Sequence, residues 1–68
     1  MEEFQINGEF IQLIQALKAI GWVGSGGEAK MVVDEGMVEV NGQTELQKRK
    51  KLRPGDRVEF EGQILKIV

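Results

Sequence analysis

Ten consecutive residues, Lys48 to Arg57 (KRKKLRPGDR), carry six basic side chains and one acid in a chain of 68 residues whose formal net charge is −2. The 47 residues before them hold eight acids and only two bases, Lys18 and Lys30, a balance of −6. Most of the positive charge of an acidic chain is thus collected in one segment. At about 0.1 M salt a charge is felt over roughly 10 Å, so such a segment attracts an anion even where the rest of the molecule repels it. Lys offers a point charge, and Arg a planar fork that fits two oxygens of a phosphate. Neutralising phosphate is the chemistry these residue types can do. A solvated basic loop is the plainer alternative, and the context of the run decides between the two.

Other chemistries find little support. With no cysteine and no histidine, a disulfide framework and a Cys/His zinc site are both excluded. Ser25 and Thr44 are the only hydroxyl side chains that could act as nucleophiles, and neither has a histidine to activate it. Asp34 and Glu35 are a carboxylate pair only in sequence, because adjacent helical positions diverge on the surface. Gly24-Ser25-Gly26-Gly27 lacks the spacing and the lysine of a phosphate-binding P-loop. A helix opening there would still present free N–H groups to an anion, although Glu28 in its first turn would oppose one. No enzymatic activity, cofactor or metal is expected.

These residues need elements to hold them. Apolar residues at 10, 13, 14, 17 and 20 form one stripe of a first helix, Phe10 to Ile20, with Gly21 as its stop. Asn7 and Gly8 supply a break before it, and Phe4 to Ile6 is a weak strand candidate. Ser25-Gly26-Gly27-Glu28 fits a capping box opening a second helix of about ten residues. Ala29, Val32 and Val33 form its inner face, and Gly36 ends it. Val38 to Val40 alternates as a strand, and Asn41-Gly42 marks a tight type I′ turn.

Gln43 to Lys51 has little apolar content beyond Leu46 and reads as an extended loop or edge segment. Its basic residues are expected to be exposed and dispensable for folding. Pro54-Gly55 fits a type II turn, and Arg57 to Phe60 alternates again. Gly62-Gln63 turns the chain into a last strand, Ile64 to Val68. Phe10 and Phe60 fall at core positions, and Phe4 and Trp22 are packing anchors. The fold class is α+β: one domain over 1–68, with two packed N-terminal helices followed by a small antiparallel sheet of three to five strands.

In this order the elements resemble the RNA-binding domain named after the fourth protein of the small ribosomal subunit, the alpha-L motif. The resemblance rests on the helix Phe10–Ile20, Gly21, Ser25, Ala29, Gly36, Val38, Val40, Asn41-Gly42, Leu52, Gly55-Asp56 and Val58, about fifty of the 68 residues. It extends to the small stand-alone bacterial members, the YaaA/YbcJ-like form. The resemblance implies RNA binding, usually of structured ribosomal or transfer RNA, by the binding module alone. It places the contacts around the second helix and the loop after the asparagine-glycine turn. Residue by residue these are Ser25, Lys30, Asn41, Lys48, Arg49, Lys50 and Lys51, with Arg53 by proximity. Many members carry an arginine after the serine, where this chain has Gly26, so a phosphate contact there is missing or passes to the Gly26-Gly27 backbone, to Lys30 or to the basic run.

RNA, free or within the ribosome or an assembly intermediate, is the expected partner. The competing reading is a protein-interaction module that meets a basic ribosomal or assembly partner with its acidic surface. No apolar run is long enough to span a membrane, and Met1-Glu2-Glu3 has the wrong sign for a signal peptide, so a cytoplasmic location is expected.

Overall fold

Two short helices with glycine stops carry six of the fourteen core residues. In the computed structural model, which describes residues 1–68, a strand β1 (Glu2–Phe4) and a two-residue strand β2 (Ile11–Gln12) precede helix α1 (Leu13–Ala19). Leu13, Ala16 and Leu17 of α1 are fully buried, the i, i+3, i+4 stripe of an amphipathic helix. Gly21 ends it at φ 84°, where the Gly21 N–H donates to the Lys18 carbonyl and the Trp22 N–H to the Leu17 carbonyl. Helix α2 (Gly26–Asp34) closes the same way. Gly36 has φ 72°, its N–H reaches the Val33 carbonyl, and the Met37 N–H reaches the Val32 carbonyl. This paired pattern satisfies the last carbonyls of a helix and needs a left-handed residue between them, which glycine adopts without strain. Ser25 opens α2, its Oγ accepting from the Glu28 N–H at 3.1 Å. The Glu28 carboxylate reaches back one residue further than a capping box requires, accepting from the Gly24 N–H at 2.7 Å.

The remaining strands are β3 (Val38–Val40), β4 (Gln43–Thr44), β5 (Lys51–Leu52), β6 (Arg57–Phe60) and β7 (Gln63–Ile67). Five of the seven form one sheet in the order β1-β7-β6-β3-β4, and β2 pairs with β5 in a separate ribbon. Asn41 at φ 53° and Gly42 at φ 83° make the two-residue turn of the β3–β4 hairpin, the left-handed pair that a type I′ turn requires. Alternation sends Val38, Val40, Val58, Phe60, Leu65 and Ile67 inward against the helices. Trp22 packs on Phe60 with ring centroids 6.4 Å apart, within the range of a productive aromatic pair. Phe4 and Trp22 are half-buried against this core, as packing anchors should be.

The architecture departs from expectation in four places. The sheet is mixed, because β1 runs parallel to β7 with Glu2, Glu3 and Phe4 opposite Leu65, Lys66 and Ile67. A strand therefore precedes the helices, at Glu2–Phe4 rather than at Phe4 to Ile6. Helix α1 begins at Leu13, since Ile11 and Gln12 are drawn into the ribbon with Leu52 and Lys51. Phe10 is consequently outside the helix and 38 % exposed instead of buried. The last turn centres on Glu61 and Gly62, with Phe60 opposite Gln63, so β7 starts one residue early.

Candidate nucleic-acid interface

The basic run is an anchored part of the fold. Leu52 at its centre is fully buried, worth about 1.5–3 kcal/mol relative to an exposed side chain. Alternation along β5 then turns Lys51 outward. Residues Gln47 to Lys50 form a turn in which the Lys50 N–H donates to the Gln47 carbonyl at 3.2 Å. Its outer carbonyls serve the start of α1: the Leu13 N–H donates to the Lys50 carbonyl at 2.9 Å and the Ile14 N–H to the Lys48 carbonyl at 3.1 Å. The first N–H groups of a helix lack intrahelical partners, and here the basic turn supplies two. A segment expected to be an extended loop or edge is thus tied into the molecule by its backbone and by Leu52. Sequence reading missed this because the run has only one apolar residue to announce it.

Side chains within the run divide accordingly. Arg49, Lys51 and Arg53 are exposed, whereas Lys48 and Lys50 are half-buried, against the expectation of uniform exposure. Lys48 Nζ lies 2.9 Å from Asp34 Oδ1 on the last turn of α2, which ties the basic turn to the second helix. Lys30 is one turn earlier on α2 and exposed. Residues four apart share a helix face, so Lys30 stands on the same side as the Asp34–Lys48 pair. The fold therefore brings Lys30 and the run together.

Asn41 and Ser25 have internal tasks. Asn41 Nδ2 donates to Asp56 Oδ1 at 3.0 Å, and Asn41 Oδ1 accepts from the Arg57 N–H at 2.9 Å. The Arg57 carbonyl in turn accepts from the Asn41 N–H at 2.8 Å. Asp56 Oδ2 accepts from the Arg53 N–H at 2.8 Å, inside the turn around Pro54 and Gly55. The carboxamide of Asn41 thus holds the turn that carries Arg53 against the β3–β4 hairpin. Ser25 Oγ is engaged as the α2 cap, with the Glu28 carboxylate beside it on Gly24. Of the eight residues singled out from the sequence, five carry a basic group with no ion-pair partner: Lys30, Arg49, Lys50, Lys51 and Arg53. Lys48 is paired, and Ser25 and Asn41 position backbone.

One aromatic residue joins this surface. Lys51 Nζ stands over the Phe10 ring, 4.8 Å from its centroid, a cation–π contact worth about 0.5–1 kcal/mol at an exposed site. The spacing of Phe10 to Leu13, Ile14 and Leu17 mimics a core position, and only the β2–β5 pairing shows that it lies outside the helix. The outer face of the sheet is of mixed charge, with Glu39 of β3 directly opposite Glu59 of β6 and Arg57 of β6 opposite Lys66 of β7. No group of three or more acids is arranged to hold a metal ion, and no helix is long and apolar enough to cross a membrane.

Comparison with known proteins bears on the family and the fold. The S4 domain family model matches residues 4–68. The Escherichia coli (strain K12) protein named "Putative RNA-binding protein YbcJ" is 40 % identical over 58 residues, covering 85 % of this chain and 83 % of that protein. YbcJ of Shigella flexneri matches with the same identity and coverage. The solution structure of Escherichia coli YbcJ, described as having an alfaL motif involved in RNA binding, superposes with a TM-score of 0.76 at 36 % identity. That match covers 100 % of this chain and 87 % of YbcJ.

Proposed function

The chain belongs to the S4 domain family, and from that premise we propose that it is an RNA-binding module for structured ribosomal or transfer RNA. The contact surface is the Gln47–Lys50 turn with β5 and the Lys30 face of α2. The observation that carries this reading is the anchoring of the basic run: the Lys48 and Lys50 carbonyls cap α1 while Arg49, Lys51 and Arg53 point to solvent. A segment ordered before binding loses less entropy on meeting its ligand than a free loop does. Lys and Arg at such a site gain affinity by releasing counterions from phosphates, and Arg49 and Arg53 can each take two oxygens or lie on a base.

Fluorescence-anisotropy titration of a labelled RNA hairpin and of a DNA duplex of equal length, at several salt concentrations, tests the proposal. Neutralising roughly three to five phosphates gives a log–log salt slope of about −2 to −4, taking about 0.7–0.9 per phosphate. The hairpin binds more tightly than the duplex, because unstacked bases and 2′-hydroxyls are absent from B-form DNA. Exchanging Arg49 and Lys50 for Glu removes most of the binding and leaves the circular dichroism spectrum unchanged, since neither side chain makes a hydrogen bond or ion pair within the fold and the Lys50 carbonyl still caps α1. Equal affinity of this variant and the wild type for the hairpin would refute the basic surface. It would favour instead a basic protein partner on the face carrying Glu39 and Glu59.

A further inference from the structure

Beside the basic surface lies a cleft of about 410 Å³ that no phosphate contact uses. Its walls come from the end of β1, the start of β2, the segment between them and α1: Phe4, Ile6, Phe10 and Ile11 are apolar, while Gln5, Asn7 and Gln15 carry carboxamides. The volume is within the ~300–1,000 Å³ of small-ligand pockets. Phe10 belongs both to this cleft and to the basic surface, because the Lys51 ammonium sits over its ring. An aromatic face, carboxamides with both donors and acceptors, and a cation at the rim form a set of groups that matches one chemical object. That object is a flat heterocycle bearing hydrogen-bonding edges and attached to a phosphate.

Resting on the RNA-binding reading above, we infer that the Phe10 cleft receives one unpaired nucleobase of the bound RNA. The base lies against Phe10, and its 5′ or 3′ phosphate falls to Lys51. Gln5 and Asn7, whose carboxamides have no hydrogen-bond partner inside the chain, read its edge. Gln15 contributes less, since its Oε1 already accepts from the Gln12 N–H at 3.1 Å. Charge complementarity favours this occupant over an apolar peptide, which would leave Lys51 and the carboxamides without partners. The base supplies the affinity for unstacked nucleotides that phosphate contacts alone lack, because stacking on an aromatic side chain tolerates any base.

The test uses an RNA hairpin with a seven-nucleotide loop and the same hairpin with abasic loop residues, which keep every phosphate. The wild type is expected to bind the intact loop about tenfold more tightly than the abasic one. Phe10→Ala and Phe10→Leu, the second retaining apolar bulk for the fold, bind both equally. In ¹⁵N–¹H spectra the side-chain amides of Gln5 and Asn7 shift with the intact loop and not with the abasic one. The backbone amides of Arg49 and Lys51 shift with both. Shifts confined to Arg49 and Lys51, or Phe10 variants that still discriminate between the two loops, overturn the cleft assignment and leave RNA binding standing. No shift anywhere overturns both.

Discussion

Removing the acid that holds Lys48 should tighten RNA binding. Asp34→Asn deletes the carboxylate 2.9 Å from Lys48 Nζ, and two effects then compete. Loss of the ion pair loosens one attachment of the basic turn, while a lysine is freed and a negative charge disappears from the proposed contact surface. The side chains of Lys48 and Asp34 are 40 % and 56 % exposed. Solvent screening therefore limits the pair to about 0–1 kcal/mol.

The other attachments are larger. Two backbone hydrogen bonds reach α1 from the Lys48 and Lys50 carbonyls, each worth about 1 kcal/mol net, and burial of Leu52 adds about 1.5–3 kcal/mol. The turn should keep its place, so the charge effect wins. One more neutralised phosphate raises affinity by at most about sixfold near 0.1 M salt, given a slope of about 0.8 per phosphate. The expected result is two- to sixfold tighter hairpin binding by anisotropy, with a salt slope steeper by about 0.7–0.9. Melting by circular dichroism should fall by no more than about 8 °C, the upper equivalent of ~1 kcal/mol in a domain of this size. Fivefold weaker binding at unchanged melting would refute this reasoning and make the ion pair a positioning device for the contact.

Substitutions at two further positions separate structural from ligand-contacting roles. Ser25→Ala should cost about 1 kcal/mol of stability through the lost cap on the Glu28 N–H, with hairpin affinity of the folded protein unchanged; a tenfold loss of affinity with unaltered melting would place Ser25 on the RNA. Asn41→Ala should cost about 2 kcal/mol, since it removes the links to Asp56 and Arg57 and places alanine at φ 53°, while Asn41→Gly should recover roughly 1 kcal/mol of that by relieving the left-handed strain. Urea denaturation of the two variants measures both values, and equal destabilisation by Ala and Gly would show that backbone strain at Asn41 is unimportant.

Much of the molecule was legible in the order of its residues because the signals concerned are local. The stripe of α1 from Leu13 onward, the Ser25 cap, the stops at Gly21 and Gly36, the Asn41-Gly42 turn and the alternation of β3 and β6 each depend on neighbours within about four positions. Such signals survive without knowledge of the partner. The basic run was visible for the same reason, as composition, and so was the resemblance carried by the ordered motifs. What remained hidden was decided by contacts between distant parts of the chain. The pairing of Glu2–Phe4 with Leu65–Ile67 joins opposite ends of the sequence, and the two-residue strands of the β2–β5 ribbon are too short to show any period. That ribbon moved the start of α1, put Phe10 on the surface beneath Lys51, and turned the basic run from a loop into a cap for α1. Charge content is a property of the residues themselves. Which of those charges faces solvent, and which is already paired, depends on backbone hydrogen bonds and burial that only the folded chain brings together.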